Sequence, residues 1–180
     1  LGNTFDANPE GVTGLSTETS WGNPQVTKEL ITLVKDSGFN AIRVPVTWGN
    51  HMDENNQIDP AWLERVAEVI GYVLDNDLYC ILNVHHDTGT KGWLRASRAN
   101  EEAMRARFID LWTQVAGYFA DAPDKLLFES FNEILTDANQ WNSPPLEAVK
   151  VTNELNQIFV DTVRSTGSNN DKRCLIVNTY

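Results

Sequence analysis

The chain has 180 residues, 41% of them hydrophobic, enough to bury a core, and no apolar run approaches the roughly 20 residues that span a bilayer. Lys and Arg number 14 against 25 Asp and Glu, giving a formal charge of -11 and a pI near 4.6. Such a surface repels polyphosphates and anionic headgroups, so no nucleic acid and no membrane partner is expected. The two cysteines, Cys80 and Cys174, fall in predicted strands among aliphatic residues, where a thiol acts as a small core hydrophobe; neither a disulfide nor a metal role is expected.

The chain opens Leu1-Gly2-Asn3-Thr4 with no initiating Met and no signal peptide, so its true beginning is expected upstream. Asn23-Pro24 reads as the cap and first-turn proline of a first helix, with Val26, Leu30, Leu33 and Val34 inward and Gly38 as the stop. A strand at 41–46 follows. Asp59-Pro60 caps a second helix whose inner stripe is Leu63, Val66, Val69, Ile70 and Val73. After a strand at 79–84, a third helix begins near Asn100 with Met104, Phe108, Leu111, Val115 and Phe119 at helical spacing. The apolar run from Leu126 ends in Asn132-Glu133, and a loop at 135–145 leads to a fourth helix at 146–163. A Gly/Ser/Asn turn at 167–171 precedes a last strand at 174–177.

Alternating helices and nearly continuous apolar strands predict an α/β protein with parallel pairing. No Gly-x-Gly-x-x-Gly or Gly-x4-Gly-Lys-Ser/Thr loop follows a strand, which favours a (β/α)8 TIM barrel over a nucleotide-binding doubly wound sheet. A barrel takes about 250 residues, so residues 1–180 read as the first four to five strand-helix units of one domain, with the first strand cut short. In a barrel the chemistry sits at the carboxyl ends of the strands, which is where Glu133 falls.

Read together, the strand ends are Gly2-Asn3-Thr4-Phe5-Asp6, Arg43-Val44-Pro45-Val46-Thr47-Trp48, Asn83-Val84-His85-His86-Asp87 and Phe131-Asn132-Glu133. In this order and spacing the chain resembles glycoside hydrolase family 5, the retaining cellulases, and most of all its endoglucanase and xyloglucanase branch. The resemblance covers essentially the whole sequence. It implies an endo-acting hydrolase of β-1,4-glucan, secreted, without a cofactor, its 180 residues being the N-terminal part of a single catalytic domain. Glu133 would be the general acid/base, with Asn132 on the sugar 2-hydroxyl, where bonds tighten as the oxocarbenium-like state develops. Asn3, His85 and His86 would face the sugar subsites.

Arg43 is suited to hold a carboxylate through paired hydrogen bonds. The resemblance implies the nucleophile as its partner; the residues alone equally allow a structural pair with Glu129, and the two are compatible. Because neighbours on a strand point to opposite faces, His85 and His86 are not expected to chelate one metal ion. Trp21, Trp48, Trp93 and Trp141 fall in loops after strands and are expected to offer platforms to sugar rings, whereas Trp62 and Trp112 fall inside helices and are expected in the core.

The resemblance places the nucleophile on a later strand, beyond Tyr180. Glu129 is not a substitute: four residues of strand put it roughly 13 Å from Glu133, against about 5 to 5.5 Å for a retaining pair. Asp6 and Asp87 remain formal candidates. The missing C-terminal strands, or a second chain, are expected to complete the barrel. The rival readings are a non-catalytic glycan-binding fragment and the same chemistry on mannan or xylan.

Overall fold

The computed structural model describes residues 1–180. Its framework is a four-stranded parallel sheet, β1 (Ala41–Val44), β2 (Tyr79–Asn83), β3 (Leu126–Glu129) and β4 (Leu175–Ile176), in which spatial order follows chain order. Each strand is preceded by a helix: α1 (Lys28–Asp36), α2 (Pro60–Asp75), α3 (Glu101–Tyr118) and α4 (Leu146–Ser165). Sequential parallel strands joined by helical crossovers are the winding of an α/β barrel, and this sheet is an arc of one. The expected cut-short first strand does not form: residues 2–6 are turns and a bend, and the segment is tied to β1 and the residues after it only by Leu1 N donating to the Arg43 carbonyl at 2.8 Å and Thr47 N to that of Phe5 at 2.9 Å.

Side chains alternate across the strands. Ile42, Val44, Cys80, Leu82, Leu126 and Phe128 are buried on one face, while Arg43, Ile81 and Leu127 on the other are only half-buried. The buried face meets the helices through aromatic contacts. Trp112 of α3 lies 5.5 Å from Phe128 and 4.6 Å from Phe159 of α4, ring centre to ring centre. All five predicted stripe residues of α2 and all five of the third helical pattern are buried, and Asp59 caps α2 by accepting from Ala61 N at 2.9 Å.

The first helix starts later than predicted. Thr27, not Asn23, is its cap, accepting from Leu30 N at 3.3 Å. The reason is a long-range ion pair: Glu18 takes the Val26 N–H at 2.8 Å and is itself gripped by Arg65 of α2 at 2.8 and 3.0 Å, which holds the approach to the helix extended. Within α1 the buried residue is Ile31, whereas Leu33 is 62% exposed. Two further expectations need correction. Cys80 is fully buried and its thiol is pushed up to about 12 by burial, but Cys174 precedes the two-residue β4 and is exposed. Strand pairing proper also stops sooner than predicted, at Val44 and Glu129.

Candidate active site

Main-chain bonding continues past the strand ends and aligns the predicted residues. His85 N donates to the Val46 carbonyl and Asn132 N to that of Val84, both at 2.7 Å, so the segments after β1, β2 and β3 stay in step. Glu133 follows at once, its side chain exposed, whereas Asn132 is half-buried.

Arg43 reaches across β2. Its Nε and Nη2 donate to the two carboxylate oxygens of Glu129 at 2.7 and 2.8 Å, and Nη2 also donates to Asn132 Oδ1 at 3.0 Å. A two-point charged pair of this kind fixes a plane as well as a distance. Of the two partners weighed for Arg43, Glu129 is therefore present, and the same guanidinium orients Asn132. With its Oδ1 accepting from Arg43, the Asn132 amide keeps its NH2 as a donor. Asn178, which the sequence reading did not single out, donates to Glu129 Oε1 at 3.1 Å and to the Phe131 carbonyl. Its own carbonyl accepts from Asn156 Nδ2 of α4 at 2.6 Å, and Asn156 in turn accepts from Ser130 Oγ at 2.8 Å. Glu129 and the Phe131-Asn132 main chain are thus held from both sides.

His85 and His86 do not diverge as predicted. They stand beyond the last residue of β2, where strand alternation no longer governs, and their rings come within 4.5 Å in an edge-to-face arrangement. His86 Nδ1 meets the Asp6 carbonyl at 2.7 Å, and His85 Nδ1 meets Asn83 Nδ2 at 3.2 Å. Burial first, and then the nearness of His86 and Arg43, bring the His85 pKa down to about 4. Trp21, 41% exposed, lies 5.6 Å from the His86 ring. Asn3 is exposed in the left-handed region, φ 62°.

The loop tryptophans divide. Trp48 is 1% exposed and donates Nε1 to the Asn83 carbonyl at 3.0 Å, so it belongs to the core; the expectation that it meets sugar is corrected. Trp141 is 54% exposed on its loop. Trp93 is half-buried and donates Nε1 to Asp87 at 2.7 Å, with the Arg107 guanidinium 4.7 Å from its ring centre. Asp87, kept open as a nucleophile, is instead structural: buried at 1% exposure, it also accepts from the main-chain nitrogens of Trp48 and Gly49 at 2.7 and 2.6 Å. Burial raises its pKa and these three donors oppose that rise, so its carboxylate serves to hold two loops together. Its position after His85-His86 was the one available signal. Beside it a cleft of about 520 Å³ opens, lined by Thr47, Asn50, His86, Lys91, Trp93 and Arg107 among others.

Asp6, the other carboxylate kept open as a nucleophile, is 4% exposed and accepts from Thr4 N at 2.9 Å. The arrangement therefore offers one solvent-facing carboxyl, Glu133, beside an oriented amide and a pair of imidazoles.

The model of the cellulase family, glycosyl hydrolase family 5, matches residues 4–180. Among curated relatives, a cellulase/esterase of Acetivibrio thermocellus is 44% identical over 99% of this chain, and endoglucanase A of Ruminococcus albus is 40% identical over all of it. The chain spans 21% and 49% of those two proteins. Among solved structures, a family 5 enzyme from Prevotella bryantii B14 superposes with a TM-score of 0.96 at 45% identity, covering 100% of this chain and 53% of that one. A GH5-4 broad specificity endoglucanase from Ruminococcus champanellensis, with bound cellotriose, gives 0.94 at 46% identity, covering 100% and 54%. With the four strand ends in register and the family model matching all but the first three residues, the chain belongs to glycosyl hydrolase family 5.

Proposed function

We propose that residues 1–180 are the N-terminal part of a single catalytic domain that hydrolyses β-1,4-glucan, endo-acting and with retention, in a secreted enzyme. The observation that carries this reading is Asn132-Glu133 beyond β3, with the amide oriented by Arg43 and the carboxyl left open to solvent. Glu133 would protonate the leaving oxygen and later draw the proton from water, while the Asn132 NH2 donates to the sugar 2-hydroxyl. The nucleophile in this scheme is a carboxylate outside the 180 residues, since Glu129, Asp6 and Asp87 are all committed to internal bonds. Residues 1–180 alone should therefore be inactive.

Support for glucan comes from the relatives: endoglucanases recur among them, and an E280A mutant of the Prevotella bryantii enzyme was solved with a xyloglucan tetradecasaccharide. A xyloglucan-specific endo-β-1,4-glucanase solved with cellotriose is 41% identical to this chain. The test is reducing-sugar release from carboxymethylcellulose, xyloglucan, mannan and xylan by the full-length enzyme. Release from the two glucans is the expected outcome. Turnover confined to mannan or xylan would overturn the substrate, and binding of cello-oligosaccharides without turnover of any polymer would overturn catalysis.

A further inference from the structure

We infer that Arg95 is a positioning residue that ties the loop after β2 to the loop after β3, and so presents Trp141 to the substrate at a fixed place relative to Glu133. Acidic residues outnumber basic ones in this chain by 25 to 14, yet the half-buried Arg95 bonds to none of them and spends its guanidinium on four neutral oxygens. Nε donates to the Gly92 carbonyl at 3.0 Å and Nη2 to that of Thr90 at 2.6 Å, both in its own loop. Nη1 crosses to the other loop, donating to Asn139 Oδ1 at 2.8 Å and to the Thr136 carbonyl at 3.5 Å. A charged donor strengthens each bond, and the planar fork aims its N–H groups in fixed directions, so one side chain holds two loops in register.

Both ends of this clamp are stiff. In the loop after β2, Leu94 N donates to the Asp87 carbonyl at 2.8 Å, and a Cβ on Gly92 would come within 1.7 Å of the Thr88 carbonyl oxygen, so the turn that aims the Thr90 and Gly92 carbonyls at Arg95 requires glycine. In the loop after β3 the fork grips a turn closed by Asn139 N on the Thr136 carbonyl at 2.9 Å, with Asn139 in the left-handed region at φ 54°. The seam continues through Ala96 N on the Leu135 carbonyl at 2.9 Å and Ser97 Oγ on Asp137. Glu133 lies between two fixed points, this Leu135 bond and the bond from Asn132 N to Val84. Trp141 follows Asn139 by two residues, and at 54% exposure its indole has little packing of its own to hold it. Its place depends on the turn that Arg95 grips. That Trp141 meets sugar rests on the proposed function, whereas the clamp does not.

The experiment compares Arg95→Met, Trp141→Ala and the double variant of the full-length enzyme by hydrogen exchange and by kinetics on carboxymethylcellulose. Arg95→Met keeps the apolar stem and removes the fork. Amides at 135–145 should then exchange faster while those of α3 and α4 keep the parental rate. KM should rise about tenfold, roughly one hydrogen bond lost to binding, with kcat kept. The double variant should be no worse than Trp141→Ala alone, because residues that act through one another are not additive. Asn139→Gly removes one acceptor yet keeps the left-handed turn, so it should move exchange and KM the same way even where Arg95→Met fails to fold. Parental exchange at 135–145 in the folded variants would overturn the clamp. Faster exchange with an unchanged KM would make it structural alone, and additive losses in the double variant would show that Arg95 does not act through Trp141. Absence of glucan turnover by the parent enzyme would overturn the proposed function and the substrate part of this inference, with the exchange rates still deciding the clamp.

Discussion

Arg43 and Glu129 sit on strands that are not neighbours, yet the guanidinium of one covers both carboxylate oxygens of the other at 2.7 and 2.8 Å, spanning β2. The pair ties the open face of the sheet together, and its second function is carried by the same Nη2, which holds Asn132 Oδ1 at 3.0 Å. Lysine keeps the charge but loses the fork. A hydrogen bond to a charged group contributes about 1.5 to 3 kcal/mol. If that loss falls on the transition state through a misaimed Asn132, Arg43→Lys should lower kcat by about 10- to 150-fold. Steady-state kinetics beside a thermal melt check this: a kcat within twofold of the parent would show that Asn132 needs no such support.

Tryptophan replacement should separate core from surface along lines that burial now draws. Trp62 and Trp112 are 0% and 1% exposed, and Trp48 joins them at 1%. Each of these changed to Ala should cost about 3 to 5 kcal/mol, the usual penalty for deleting a buried aromatic. Trp93→Ala should instead raise KM with little change in melting temperature, because its indole stands at the cleft. Chemical denaturation and substrate titration of the four variants give the answer; equal destabilisation by Trp93→Ala would remove it from the sugar contacts.

Gly49 explains how Trp93 is kept in place. A Cβ at this position would come within 2.8 Å of both Asp87 Oδ1 and Trp93 Nε1. Gly49→Ala should push the indole off Asp87 and raise KM by about tenfold through loss of roughly one charge-assisted bond. Tryptophan fluorescence should change in parallel, and a KM equal to that of the parent would show that the Asp87 bond is dispensable for binding.

The sequence reading recovered what is local and periodic. The stripes of α2 and α3 and the Asp59 cap depend on spacing within one element, and four strand-end motifs were enough to place the family. It failed where a distant residue decides. The start of α1 is moved by Glu18 and Arg65, 47 residues apart in the chain, and no window that contains only Asn23-Pro24 holds that information. Trp48 lies in a loop, but the Asn83 carbonyl gives its N–H a buried partner, so location alone misjudged it. Strand parity likewise stopped at Asn83, and the two histidines beyond it follow their hydrogen bonds instead.

Stability should fall in acid partly because of His51. It is stacked on Trp62 at 3.6 Å between ring centres, buried, with no protein partner on either ring nitrogen, and burial lowers its pKa to about 4 while Asp59 opposes this weakly. The unfolded chain titrates at the ordinary value of 6.5, so between pH 6.5 and 4 it binds more protons than the folded one, and stability is lost as pH falls through that window. His85, also lowered to about 4, adds to the same trend. His51→Phe keeps the stack and removes the titration. Its melting temperature should therefore depend less steeply on pH below 6.5, and a slope identical to the parent's would exclude His51 as a source.

Glu133→Gln bears most directly on mechanism. Glutamine keeps the shape of the side chain but neither protonates a leaving oxygen nor activates water, so turnover of a glucan polymer should fall by about 100- to 10,000-fold, the range for general acid/base catalysis. The position is exposed, and the substitution should leave the fold intact. An aryl glycoside with a good leaving group needs little help to depart, so the first step should survive while the second, which depends on activated water, slows. The signature is a burst of phenol followed by a slow steady state, with glycosyl-enzyme visible by intact mass. Uniform slowing of both steps would point to a general loss of structure. Near-parental turnover of the polymer would remove Glu133 from the chemistry and leave Asn132 beside a carboxyl that only binds.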